Sequence, residues 1–70
     1  MVYKIKDAWD ARDIIEVESE GSTVCIEITE HGTDLAGYEV KSLTAITLDI
    51  VGARELLKAL ALAIGEIENA

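Results

Sequence analysis

The stretch from Thr47 to Asn69, TLDIVGARELLKALALAIGEIEN, decides the fold. At 100° per residue, Ala53, Leu56, Leu57, Leu60, Ala61, Ile64 and Ile67 recur at i, i+3, i+4 and i+7, which lays an apolar stripe along one side of a helix. Arg54, Glu55, Lys58 and Glu66 fall on the other side, toward water. Asp49 precedes the stripe, where its short carboxylate can accept from the free N–H groups of the first turn and complement the positive helix end. Ala, Leu, Lys, Arg and Glu fill the interior, and all are good helix formers. This predicts a helix from about Ile50 to about Glu68. Gly65 weakens its far end by up to ~1 kcal/mol relative to Ala. Either the last turn frays, or the helix stops at Gly65 and Ile67 folds back. A second apolar line, Ala59 and Leu62, runs outside the main stripe and is a candidate contact between two copies of the chain.

Upstream of the helix the periodicity changes from 3.6 to 2. Tyr38 to Asp49 is extended, with Tyr38, Val40, Ile46 and Leu48 in phase. Leu43 is out of phase, which predicts a bulge or break near Ser42 to Thr44. His31 to Gly37 reads as a loop from its Gly, Thr and Asp content. Ile14 to Glu30 reads as a hairpin: Ile15 and Val17 alternate with Glu16 and Glu18, and Val24, Ile26 and Ile28 alternate with Cys25, Glu27 and Thr29. With Glu20 and Gly21 as the turn residues, Val17 faces Val24 and Ile15 faces Ile26 on a core face. Glu16 then faces Cys25, and Glu18 faces Thr23, on the other. Val2 to Lys6 is a short edge strand whose lysines discourage pairing with another chain. Asp7 to Asp13 has no clean period, so it is a helical turn or a loop, and Trp9 within it is expected to plug the core. The fold class is α+β: one domain, residues 1–70, with a three- to four-stranded, mostly antiparallel sheet and one C-terminal helix packed on one face.

A chain of 70 residues that is half hydrophobic should fold, although so small a domain buries only about 60% of its unfolded surface and has little stability to spare. The single Cys25 rules out an internal disulfide framework. No basic-then-apolar leader precedes Val2, and the longest apolar run, Ala59 to Ile64, is too short to span a bilayer, so a cytoplasmic protein without membrane contact is expected. A net charge of −8 disfavours nucleic acid as a direct ligand.

No motif for catalysis, metal or cofactor binding is present. His31, the only histidine, has no Ser or Cys motif around it, and carboxylates beside Cys25 would raise its thiol pKa rather than activate it. Glu16, Glu18 and Glu27 lack the spacing of a calcium loop. The glycines are dispersed, so no phosphate cradle forms. The expectation is a protein that is not an enzyme and carries no metal or cofactor.

The charge itself is uneven. Asp7, Asp10, Asp13, Glu16, Glu18, Glu20, Glu27 and Glu30 stand against one base, Arg12, so nearly the whole net charge lies in a third of the chain. On the hairpin, Glu16, Glu18 and Glu27 share the outer face, with Glu20 at the turn, and no lysine is mixed in. Carboxylates two apart on a strand repeat at ~6.6–6.8 Å, a rigid ladder of the kind a nucleic-acid backbone offers a basic groove. In size, charge and this ladder the chain resembles the small acidic nucleic-acid mimics of phages and mobile elements, including anti-CRISPR and anti-restriction proteins. That resemblance implies an inhibitor that docks on a basic protein surface, the groove of a nucleic-acid-binding defence effector, through the eight acids from Asp7 to Glu30. The competing reading is a small homodimeric structural or assembly protein whose acidity only keeps it soluble.

Overall fold

The computed structural model describes residues 1–70 and follows the change of period along the chain. Four strands, β1 (Val2–Lys6), β2 (Ile14–Glu20), β3 (Thr23–Thr33) and β4 (Glu39–Leu48), precede one helix, α1 (Ile50–Glu68). The strands form an open antiparallel sheet in the order β1-β2-β3-β4, each paired with its chain neighbour. This is the α+β arrangement expected from the alternating pattern followed by the helical stripe.

Side-chain alternation sorts the sheet into two faces. One carries Tyr3, Val17, Ile26 and Ile46 in one row, and Ile5, Ile15, Ile28 and Thr44 in the next. The other carries Lys4, Glu16, Glu27 and Ala45, flanked by a row of Val2, Glu18, Cys25 and Thr47. The faces are those expected, but the register of the β2–β3 hairpin is not. Val17 faces Ile26, Ile15 faces Ile28, Glu16 faces Glu27 and Glu18 faces Cys25, a shift of two residues. Gly21 and Ser22, not Glu20 and Gly21, form the turn. Gly21 has φ +60° and no non-glycine residue has positive φ. Glycine at the first central position is what a type II′ hairpin turn requires.

Three further expectations give way. His31 lies in a strand and not a loop: β3 continues to Thr33, and the connection is a tight turn in which Asp34 Oδ1 accepts from the N–H groups of Ala36 and Tyr38, both at 2.9 Å. β4 pairs with β3 without interruption from Glu39 to Leu48, so there is no bulge at Ser42 to Thr44. Leu43 is out of phase because it belongs to the charged face, in one row with Ile14 and Thr29. Thr29, between those two apolar neighbours, is one of only two buried residues. Trp9 does not plug the core. It stands 94% exposed on the β1–β2 loop.

The helix begins where its cap requires. Asp49 Oδ1 accepts from Gly52 N–H at 2.7 Å, and Ala53 N–H donates to the Asp49 carbonyl. Gly65 does not end it: the helix runs to Glu68, and the Asn69 backbone and side-chain N–H groups both donate to the Gly65 carbonyl. Ala53, Leu56, Leu57 and Leu60 of the helix line an open apolar cleft with Val17, Val24, Ile26 and Leu48 of the sheet, and no helix residue is fully buried. Beyond Leu60 its stripe leaves the sheet, and Ile64 and Ile67 are exposed. Ile26 is the only buried apolar residue. The radius of gyration is 14.9 Å, where a compact domain of this length has about 11 Å.

Candidate protein-binding surface

The eight acids of the Asp7–Glu30 segment separate into three groups. Asp7, Asp10 and Asp13 build the β1–β2 loop. Asp7 Oδ2 accepts from the N–H groups of Trp9 (3.0 Å) and Asp10 (2.9 Å), which fixes the loop as an Asx-type turn rather than a helical one. Asp10 holds Arg12 in a fork, with Oδ1 to Nε at 3.1 Å and Oδ2 to Nη2 at 2.9 Å, and it also accepts from the Arg12 backbone N–H. Arg12 Nη1 reaches across to Glu39 Oε1 at 2.6 Å. Asp13 Oδ1 accepts from the His31 backbone N–H at 2.8 Å and lies 3.2 Å from His31 Nδ1. Because β3 outruns β2, the His31 N–H would otherwise be a free edge donor, and Asp13 caps it.

The Arg12 side-chain hydrogen bonds, and then its backbone one, hold the Asp10 carboxyl down to about 2, against an ordinary 3.8. A depressed folded-state pKa means the contact contributes stability above the ordinary value and loses it as pH falls through about 2. Carboxyl NMR of the folded protein should show the Asp10 midpoint near 2, and Arg12→Ala, which removes the side-chain fork but keeps the backbone bond, should raise it part of the way toward 3.8. A parent midpoint near 3.8 would mean that the fork is not kept in solution.

The second group is the ladder. Glu16, Glu18 and Glu27 share the outer face, Glu16 directly opposite Glu27, and Glu20 ends β2 on the same side. Opposed residues in an antiparallel pair hold their Cβ atoms ~4.5–5.5 Å apart, close enough for like charges to destabilise the pair. None of the four is in an ion pair. The face is not free of lysine, however. β1 sets Lys4 opposite Glu16 and Lys6 opposite Ile14, so two ammonium groups border the ladder on its β1 side. The expectation of an unmixed acidic face is corrected on this point, because the lysines come from β1, whose place beside β2 the hairpin's alternation does not reveal.

Glu30 forms the third group. It falls on the opposite, apolar face and lines a cleft of about 300 Å³ with Ile5, Ile15, Ile28, Asp7 and Asp13. Ala59 and Leu62 lie on exposed sides of α1; Leu62, 62% exposed, projects nearly opposite the apolar stripe. Cys25 is a half-buried free thiol opposite Glu18. No group of three or more His, Cys, Asp or Glu side chains is gathered closely enough to hold a metal ion, and no helix is long and apolar enough to cross a membrane. The exposed Trp9 had no signal in the sequence beyond its aspartate-rich surroundings.

No protein-family model, curated protein or solved structure matches the chain.

Proposed function

We propose that the protein is a non-enzymatic binding module of the cytoplasm that docks on a basic protein surface through Glu16, Glu18, Glu20 and Glu27. The partner class is a nucleic-acid-binding defence effector, which the module inhibits by occupying its phosphate-binding groove. The observation that carries this reading is the ladder: four carboxylates on a rigid hairpin, none in an ion pair. Their mutual repulsion costs stability that a cationic groove would restore on binding. Asp7, Asp10 and Asp13 have structural duties, so they contribute field rather than direct contacts. Trp9, beside them and exposed, offers such an interface a large aromatic side chain to bury.

Lys4 and Lys6 at the border of the ladder favour a second reading, an assembly protein whose acidity serves only solubility. Two triple variants separate the readings. Glu16→Gln, Glu18→Gln and Glu27→Gln together should weaken binding to a captured basic partner by up to ~100-fold, at up to ~1 kcal/mol for each exposed pair, with a loss that shrinks as salt rises. Glu55→Gln, Glu66→Gln and Glu68→Gln remove as many charges from the helix and should leave binding intact. Duplex DNA should compete with the parent protein for that partner. Equal losses in the two triples, or binding that survives high salt, would leave the assembly reading standing.

A further inference from the structure

We infer that the apolar sheet face and the exposed half of the helix stripe are one interface, covered by a second copy of this chain. In that dimer the helix of each copy lies over the Tyr3, Ile5, Ile15 and Ile28 region of its partner's sheet. The inference does not depend on the acidic ladder, which lies on the opposite face.

The area of the molecule carries the argument. The chain exposes 5950 Å² of surface. A compact monomer of 7.6 kDa exposes about 4,300 Å², so roughly 1,650 Å² per chain remains to be covered. Two copies closing that excess would bury about 3,300 Å² in all, within the range of obligate homodimers. Its largest side chains are apolar, although Asp7, Asp13 and Glu30 line the cleft beside Ile5, Ile15 and Ile28. Tyr3 and Ile5 are 61% and 57% exposed on the sheet, and Leu60 and Ile64 are 53% and 52% exposed on the helix.

The chain's own helix is poorly placed to close this gap. Asp49 is the only residue between β4 and α1, and its cap on Gly52 fixes the direction in which the helix leaves the sheet. That direction brings the first half of α1 over Val17, Val24, Ile26 and Leu48, and carries the second half past the sheet. Each copy therefore has helix without sheet and sheet without helix. A two-fold axis matches the one to the other in a self-complementary contact.

Charge disfavours the outer face. Two chains of net charge −8 repel, and association through the outer face would bring Glu16, Glu18 and Glu27 against their own copies. Closing the apolar face leaves those ladders on the two outer surfaces of the dimer. Leu62, nearly opposite the stripe, stays outside the contact.

Equilibrium sedimentation of the full chain at micromolar concentration should give twice the chain mass of 7.6 kDa. The melting temperature should rise with protein concentration, as mass action requires when folding and association are coupled. Ile5→Glu and Ile64→Glu each place a charge where the single chain already meets water, so a monomer would tolerate both. In the dimer each should weaken association on the order of 100-fold. Leu62→Glu should remain dimeric. Isotope-filtered NOEs in a mixed-label sample should connect Ile64 methyls of one copy with the Tyr3 ring of the other. If the charged variants fail to fold, the concentration dependence of the parent's melting still decides. A monomer with concentration-independent melting overturns the inference, as does a dimer broken by Leu62→Glu but not by Ile5→Glu. Ile64-to-Tyr3 NOEs confined to one chain overturn it too, since the helix would then fold back on its own sheet.

Discussion

Ile26→Asp is expected to abolish folding. Ile26 is 8% exposed, sits between Val17 and Ile46 in the central row of the apolar face, and lies under the first turns of α1. The substitution removes the one buried apolar side chain and puts an unpaired carboxylate in its place, at a cost of several kcal/mol. At about 0.05–0.15 kcal/mol per residue, a chain of this length has only about 3.5–10 kcal/mol to lose. Far-UV circular dichroism should show loss of both helix and sheet signal at room temperature. Leu35→Asp, fully exposed in the β3–β4 turn, is the control and should melt like the parent. An Ile26→Asp protein that also melted like the parent would mean that the helix and sheet are not joined at this point.

The second large effect belongs to Asp13. One of its oxygens satisfies the His31 backbone N–H and faces His31 Nδ1, and it fastens the β1–β2 loop to the free edge of β3. Both groups are about four-fifths buried, so solvent screens the contact only in part. Asp13→Ala leaves the edge donor without its acceptor and should cost about 1–3 kcal/mol. Asp13→Asn keeps an oxygen in place and should recover part of that loss. Urea titration measures both, and native-state hydrogen exchange at His31 should quicken in the alanine variant before that of Ile26. Equal stability of Asp13→Ala and the parent would show that water replaces the carboxylate without cost.

How much of this was legible in the residues follows from what each signal can resolve. The helix bounds were legible because stripe, cap and propensity agree over Ile50–Glu68. The two faces of the hairpin were legible because alternation is a parity signal. Parity is blind to a slip of two residues, and only turn chemistry could choose between Glu20-Gly21 and Gly21-Ser22. Leu43 suggested a bulge because an apolar residue on the charged face looks like a phase error until Ile14 and Thr29 are set beside it. The ladder itself was legible. Its lysine border was not, since alternation within β2 and β3 does not show which strand lies beside them. Nor could composition show that Trp9, Tyr3 and Ile5 would all remain in contact with water.

The order of the strands has a consequence for how the chain acquires its shape. Each strand is laid against the one made just before it, and the helix follows β4 after one residue. No strand waits for a distant partner, so the loops closed while the sheet forms are short and their entropy cost is low. The sheet can grow by successive hairpins, first around Gly21-Ser22, then around Asp34–Tyr38, without a long-range nucleus. A truncation that removes β1 should therefore leave the β2–β3–β4 order intact, whereas a chain permuted to separate β2 from β3 would fold more slowly even with every residue retained.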